Sequence, residues 1–224
     1  MPQPPSAASD SATEQLLADS IASYCTRALP LSRLRALHAA SQPFDRGRWQ
    51  EMAGLGWLGL AVPEEKGGLG LGAKSATAMA HALGRVAAPE PVVEAGVACG
   101  ALLAACDNAA PWLAQLLAGE ALFAMPLWPS PTDTELHAEP TADGYLLRGT
   151  LAQLPLAPDA DAFLLPARCG AALALFVVSR TATGMTMHAL PLADGTRDGR
   201  LVLNDVHCAA NARLAPTTPL EHAW

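Results

Sequence analysis

The chain has 224 residues, of which 51% are apolar and 16% charged, enough apolar material to bury a sizeable core and too much for general disorder. A formal net charge of −7, without a single cluster of five basic residues, argues against nucleic acid as a partner. Five dispersed cysteines without a CxxC pair and six histidines without zinc spacing argue against a disulfide scaffold and a metal site, and suit buried thiols in a reducing, cytoplasmic compartment.

The amino terminus, "MPQPPSAASDSA", has neither a basic n-region nor an apolar h-region, so it does not read as a secretory signal. Its first ten residues, rich in Pro, Ser and Ala, are expected to form a disordered tail. "SATEQLLADSIASYCTRAL" then places Ser11 and Glu14 at capping-box spacing, ahead of a stripe of Leu16, Leu17, Ile21, Tyr24, Cys25 and Leu29. Pro30 separates that helix from one through Leu34 and Leu37. In "FDRGRWQEMAGLG", Asp45 is the predicted N-cap, and Phe44, Trp49, Met52 and Leu55 share one face. A small-residue helix follows from Ala73, halted near Pro89 and Pro91. Two more helices are predicted over "VVEAGVACGALLAAC" and "APWLAQLLAGE", with Pro111 in the first turn of the second. The longest weakly polar run, Ala95 to Cys106, falls well short of the ~20 residues that span a bilayer, so no membrane span is expected.

From Ala121 the texture changes. "ALFAMPL", "GYLLRGTL", "AFLLPA", "ALALFVVS" and "GRLVLNDV" are short apolar or alternating runs. Asp143-Gly144, Thr183-Gly184, Asp194-Gly195 and Asn204-Asp205 read as the turns between them. Helices followed by strands predict an α+β chain: a helical domain over 11–120 and a β domain over 121–224.

Between these helices lies "GLGWLGLAVPEEKGGLGLG", residues 54–72, which opens with the letters of a dinucleotide-binding loop. That fingerprint needs a strand before its first glycine and a helix from its last. Here an amphipathic helix precedes Gly54, and Pro63 follows four residues after Gly59. Gly54 and Gly56 read instead as a helix end. "GGLGLG" also lacks the Lys-Ser/Thr offset of a P-loop.

Taken as one unit, "RWQEMAGLGWLGLAVPEEKGGLGLG", with Leu83-Gly84-Arg85 closing the next helix, resembles the acyl-CoA dehydrogenase family. The order of "DGYLLRGTL", "DADAFLLPA", "ALALFVVS" and a "TGM" turn extends the resemblance to that family's middle domain. It implies a helical N-terminal domain and a β-barrel-like middle domain. It also implies FAD, an acyl-CoA thioester substrate, and a C-terminal four-helix bundle with the catalytic base. The glycines around Val62-Pro63-Glu64-Glu65 then serve close chain crossing, with Glu64 and Glu65 as solvated turn residues rather than acids.

The chain departs from the family in two ways. It stops near the end of the middle domain, so no catalytic residue is assigned. The resemblance then implies a fragment or a subunit that depends on a partner, in a homo-oligomer or with a related chain. The flavin-facing motifs also differ. The family's Thr-Glu-Pro-x-x-Gly-Ser-Asp segment corresponds to "PLWPSPTDT", with Leu127 at Thr, Trp128 at Glu and Thr132 near Ser. Its Gly-x-Lys-x-Trp/Phe-Ile-Thr strand corresponds to "GTLAQLPLA", with Gln153 at the aromatic position and Pro155 at Thr. Leu127, Trp128, Thr132, Gln153 and Pro155 are therefore the candidate cofactor-binding residues, with FAD binding weakened or shared. Trp128 reads either as a ring stacked on flavin or as interface filling, and Arg148 either as a phosphate contact or as a solvated strand residue. A non-catalytic structural or binding subunit is the alternative reading, and a changed flavin chemistry on the same fold stays open.

Overall fold

The protein is described from a computed structural model over residues 7–126, 135–193 and 195–218, and its helices precede its strands, as the sequence predicts. Helix α1 (Ala7–Ala28) begins four residues ahead of the expected capping box, so Ser11 lies within the helix and residues 7–10 are helical rather than tail. Pro30, in extended backbone, separates α1 from α2 (Leu31–Ala39). Asp45 caps α3 (Arg46–Gly54): its Oδ1 accepts the N–H groups of Gly47 (2.8 Å) and Arg48 (3.4 Å). Phe44, Trp49 and Met52 are buried as predicted, whereas Leu55 is 49% exposed, because the helix stops one residue before it.

The glycine-rich stretch folds back on itself. Gly56 takes a left-handed φ of +80° and ends α3. Short 3₁₀ turns follow at Trp57–Gly59 and Glu64–Lys66. The returning chain then donates Leu69 N–H to Gly59 O (2.9 Å), Gly70 N–H to Val62 O (2.8 Å) and Leu71 N–H to Leu60 O (2.9 Å). A Cβ on Gly68 would stand 2.1 Å from Val62 O and 2.6 Å from Gly59 O, so only glycine fits this crossing. Gly54 meets no such constraint and is simply the last residue of α3.

Helix α4 (Ala73–Arg85) follows the loop. The single helix expected over residues 92–106 is instead a π-helical segment, Val92–Ala98, running into α5 (Cys99–Ala104). Helix α6 (Ala110–Leu117) carries Pro111 in its first turn.

The strands are β1 (Phe123–Ala124), β2 (His137–Pro140), β3 (Gly144–Pro155), β4 (Ala162–Cys169), β5 (Ala172–Ser179), β6 (Met185–Pro191), β7 (Arg197–Ala209) and β8 (Arg213–Leu214). They form one mixed sheet in the order β6-β7-β3-β2-β4-β5-β8, with β1 alongside β4. The pairings β1–β4 and β2–β4 are parallel and the rest antiparallel. The sheet curls, which brings Tyr145 of β3 edge-on to Phe176 of β5 at 5.1 Å, while Arg213 of β8 donates to the Tyr145 hydroxyl (2.9 Å). The sequence reading did not anticipate β2, β6 or β8. Nor is Asn204-Asp205 a turn: it is a β-bulge inside β7, where the register slips between Leu147↔Val206 and Gly149↔Leu203 and Asp205 adopts φ +54°.

One continuous apolar core runs from Ile21 through the helices and across the sheet to Leu214. Polar ties join the two halves. Cys99 Sγ donates to Phe123 O, and Asp161 Oδ2 accepts both Leu122 N–H (2.8 Å) and Arg46 Nη1 (2.8 Å). After β8 the chain returns to the helices, with Asp107 N–H on Ala215 O (2.9 Å) and Thr217 N–H on Ala105 O (2.8 Å).

Candidate functional site

Of the five candidate cofactor residues, Leu127, Trp128 and Thr132 lie outside the described residues. Gln153 and Pro155 fall at the end of β3, where a second irregularity occurs: between Leu151↔Leu201 and Leu154↔Gly199, β3 carries one residue more than β7. Gln153 sits in this bulge, which redirects its side chain out of the regular alternation. It is exposed, and its Nε2 donates to Oδ2 of Asp198, a carboxylate only 5% exposed on β7. Pro155 pairs with Asp198 in the register and is half-buried.

Past Pro155 the chain makes a tight turn that joins the two halves. Leu156 takes φ +62° and donates its N–H to Arg197 O (3.1 Å). Arg197 pairs with Asp159, and the Arg180 guanidinium clamps the turn through the carbonyls of Ala157 (3.1 Å) and Ala160 (3.2 Å). Gly199 lies beneath, where a Cβ would come within 2.6 Å of the Ala157 Cβ. Arg46 adds a contact from α3 to Asp159 O (2.5 Å). This frame, built from Asp159, Arg180, Arg197 and Asp198, was not predicted. Its available signal was the run of acids in "PDADA" and the charged pair Arg197-Asp198 opening an otherwise apolar strand.

A cradle for a flavin ring needs hydrogen-bond donors facing its carbonyl and imine acceptors. Here the Gln153 amide nitrogen is engaged by a buried carboxylate, and Pro155 has neither an N–H nor a hydroxyl. Neither of the two described candidates thus presents a hydroxyl donor, and one N–H of the Gln153 amide is already bonded to Asp198.

The remaining candidates take structural roles. Arg148 is held between Glu139 (2.7 Å) and Asp205, so its guanidinium is already matched by two carboxylates. Glu64 and Glu65 lie in an exposed 3₁₀ turn with neighbouring Lys66, whose Nζ donates to Ala104 O (2.6 Å). Burial pushes the Cys106 and Cys208 thiols up to about 11 and raises those of Cys25 and Cys99 as well, which makes all four poor nucleophiles. Among the described residues no group of three His, Cys, Asp or Glu side chains is placed to hold a metal, and no helix is long and apolar enough to cross a membrane.

Residues 11–120 match the family described as Acyl-CoA dehydrogenase, N-terminal domain. The chain is 32% identical over 186 residues to the acyl-CoA dehydrogenase FadE27 of Mycobacterium tuberculosis, covering 82% of this chain and 50% of that protein. Among solved structures it is similar to the ChsE4-ChsE5 complex from Mycobacterium tuberculosis, with a TM-score of 0.81 and 29% identity over 91% of this chain and 57% of the other. It shares its fold with a glutaryl-CoA dehydrogenase from Mycobacterium smegmatis in complex with FADH2, at a TM-score of 0.80 and 19% identity over 94% and 58% of the two chains. The chain thus spans about half the length of the curated relatives it matches.

Proposed function

Because the chain belongs to the acyl-CoA dehydrogenase family, we propose that it is a partner-dependent subunit of an acyl-CoA-oxidising assembly in which a second polypeptide holds the flavin. The reaction class is α,β-dehydrogenation of an acyl-CoA thioester, with FAD as the assembly's hydride acceptor. The observation that carries the reading is the Gln153–Asp198 bond beside Pro155, at the positions that the family resemblance aligns with flavin-facing residues. A similar fold occurs in a complex of two proteins, ChsE4 and ChsE5, which supports a hetero-oligomeric arrangement. The same observation also favours the second reading, a structural or binding subunit without redox chemistry.

The test is the visible spectrum of the purified chain, followed by titration with FAD. The chain alone should show no flavin band and no saturable binding at micromolar FAD. Tight binding at one flavin per chain overturns the proposal. The double substitution Gln153→Trp with Pro155→Thr should raise FAD affinity roughly fivefold, the worth of one recovered hydrogen bond of about 1 kcal/mol. Binding of a non-oxidisable acyl-CoA analogue, followed by calorimetry with the partner subunit present, separates the catalytic from the purely structural reading.

A further inference from the structure

Helices α1 and α4 pack side by side, and the small residues between them leave an open groove of about 860 Å³ in the helical half. Ala18 and Ala22 of α1 and Ala73, Ala78 and Ala82 of α4 are among its lining residues, so much of its wall is no larger than a methyl group. The α4 wall carries Lys74, His81 and Arg85. Asp19 is the one acid among the lining residues, and its Oδ1 already accepts from Gln15 (3.0 Å). Within the described residues, Lys74, His81 and Arg85 have no hydrogen-bond or ion-pair partner, although the chain as a whole carries a net charge of −7.

The placement of these groups is informative. Arg85, in the last turn of α4, complements the helix dipole, but Lys74 sits in the first turn, where the dipole disfavours a cation. The helix itself therefore does not account for Lys74. The three basic groups are spaced i, i+7 and i+11, which strings them over three turns, about 16 Å. A small anionic amphiphile has one head group and calls for cations gathered at one end of its pocket. Two cations with an imidazole donor between them, strung beside an apolar trough, instead match a row of carboxylates along a helix.

We propose that the α1–α4 groove receives one α-helix of a second polypeptide, with small apolar residues on the buried side and acidic residues along the flank facing α4. The docking buries the alanine floor against that apolar side, and the carboxylates pair with Lys74, His81 and Arg85. The proposal rests on the reading that this chain works with a partner, but not on where flavin is bound, so the FAD titration can fail without touching it and the reverse also holds.

The test uses two fluorescent 20-residue helical peptides with the same Ala/Leu face, one with Glu and one with Lys along the flank. Binding to the full chain is read by anisotropy at two salt concentrations. The Glu peptide should bind and the Lys peptide should not. Lys74→Glu with Arg85→Glu should weaken the Glu peptide at least tenfold and admit the Lys peptide, an exchange that mere misfolding does not produce. Ala78→Trp, checked for native circular dichroism, should block the Glu peptide, and in the Lys74→Glu, Arg85→Glu background the Lys peptide as well. Equal binding of the two peptides, or binding of neither, overturns the proposal. So does displacement of the peptide by dodecanoate, which would mark a small-molecule site. Self-association of the chain that Ala78→Trp abolishes would assign the groove to a second copy instead.

Discussion

Glu90 lies 4% exposed between Arg33, which binds its carboxylate through both terminal nitrogens, and the Asp45 N–H at 3.3 Å. The Arg33 side chain is only 15% exposed, so Glu90→Ala would leave its guanidinium largely buried, with only the more distant Asp45 carboxylate, at 3.9 Å, to match it. A loss of about 3–5 kcal/mol is expected, measured by urea unfolding. The thiols make a second prediction. The folded values of the four buried thiols lie above the ordinary thiol value of 9.0, reaching about 11 for Cys106 and Cys208. Folding therefore favours the neutral form, and the resulting stability is whole below about pH 9 and lost as pH rises toward about 11. At pH 8 a thiol reagent should modify half-buried Cys169 first, with the other four reacting only as fast as the protein opens. At this scale the sequence was legible wherever chemistry is local, as in the Asp45 cap and the left-handed Gly56. The fate of Gln153 was not, because its partner lies 45 residues away across a bulge that no periodicity announces.

Elements show the same division. Helices α1 to α4 follow from apolar spacing and proline punctuation, and β3, β4, β5 and β7 from alternation. The edge strand β6 was missed because "MTMHALP" is almost wholly exposed and so carries no buried face to create a pattern. The π-helical segment was missed because it preserves a run of small apolar residues that reads as plain helix. Where the two halves meet, Asp161 separates two energetic terms. Arg46 reaches it from a 44% exposed position, so Arg46→Ala should cost about 0–1 kcal/mol. Asp161→Ala also strips the partner from the Leu122 N–H, beside a fully buried side chain, and should cost about 1–3 kcal/mol more. Thermal melts of the two variants under one buffer condition measure the difference.

Across the whole molecule, the sequence separated helical and sheet-forming regions but gave no sign that one apolar cluster unites them. The texture change at Ala121 marks a change of secondary structure, while Leu122, Phe123 and Ala124 are buried in the shared core. Hydrogen exchange in mild denaturant should therefore show amides of α5 and of β4 opening together with one free energy. Separate transitions for helices and sheet would contradict a common core.

The return of the chain after β8 bears on how the protein is made. Asn108 bonds to Arg213 O and to Ala215 N–H, and Thr217 Oγ1 to Ala105 O, across sequence separations of 105 to 112 residues. At bacterial or eukaryotic elongation speeds, those last partners leave the ribosome roughly 5–20 s after the end of α5 does. Throughout that interval the carbonyl of Ala105 and the side chain of Asn108 wait without their final contacts. The helical half is thus synthesised before the sheet, and its outer seam closes only once the segment after β8 has emerged.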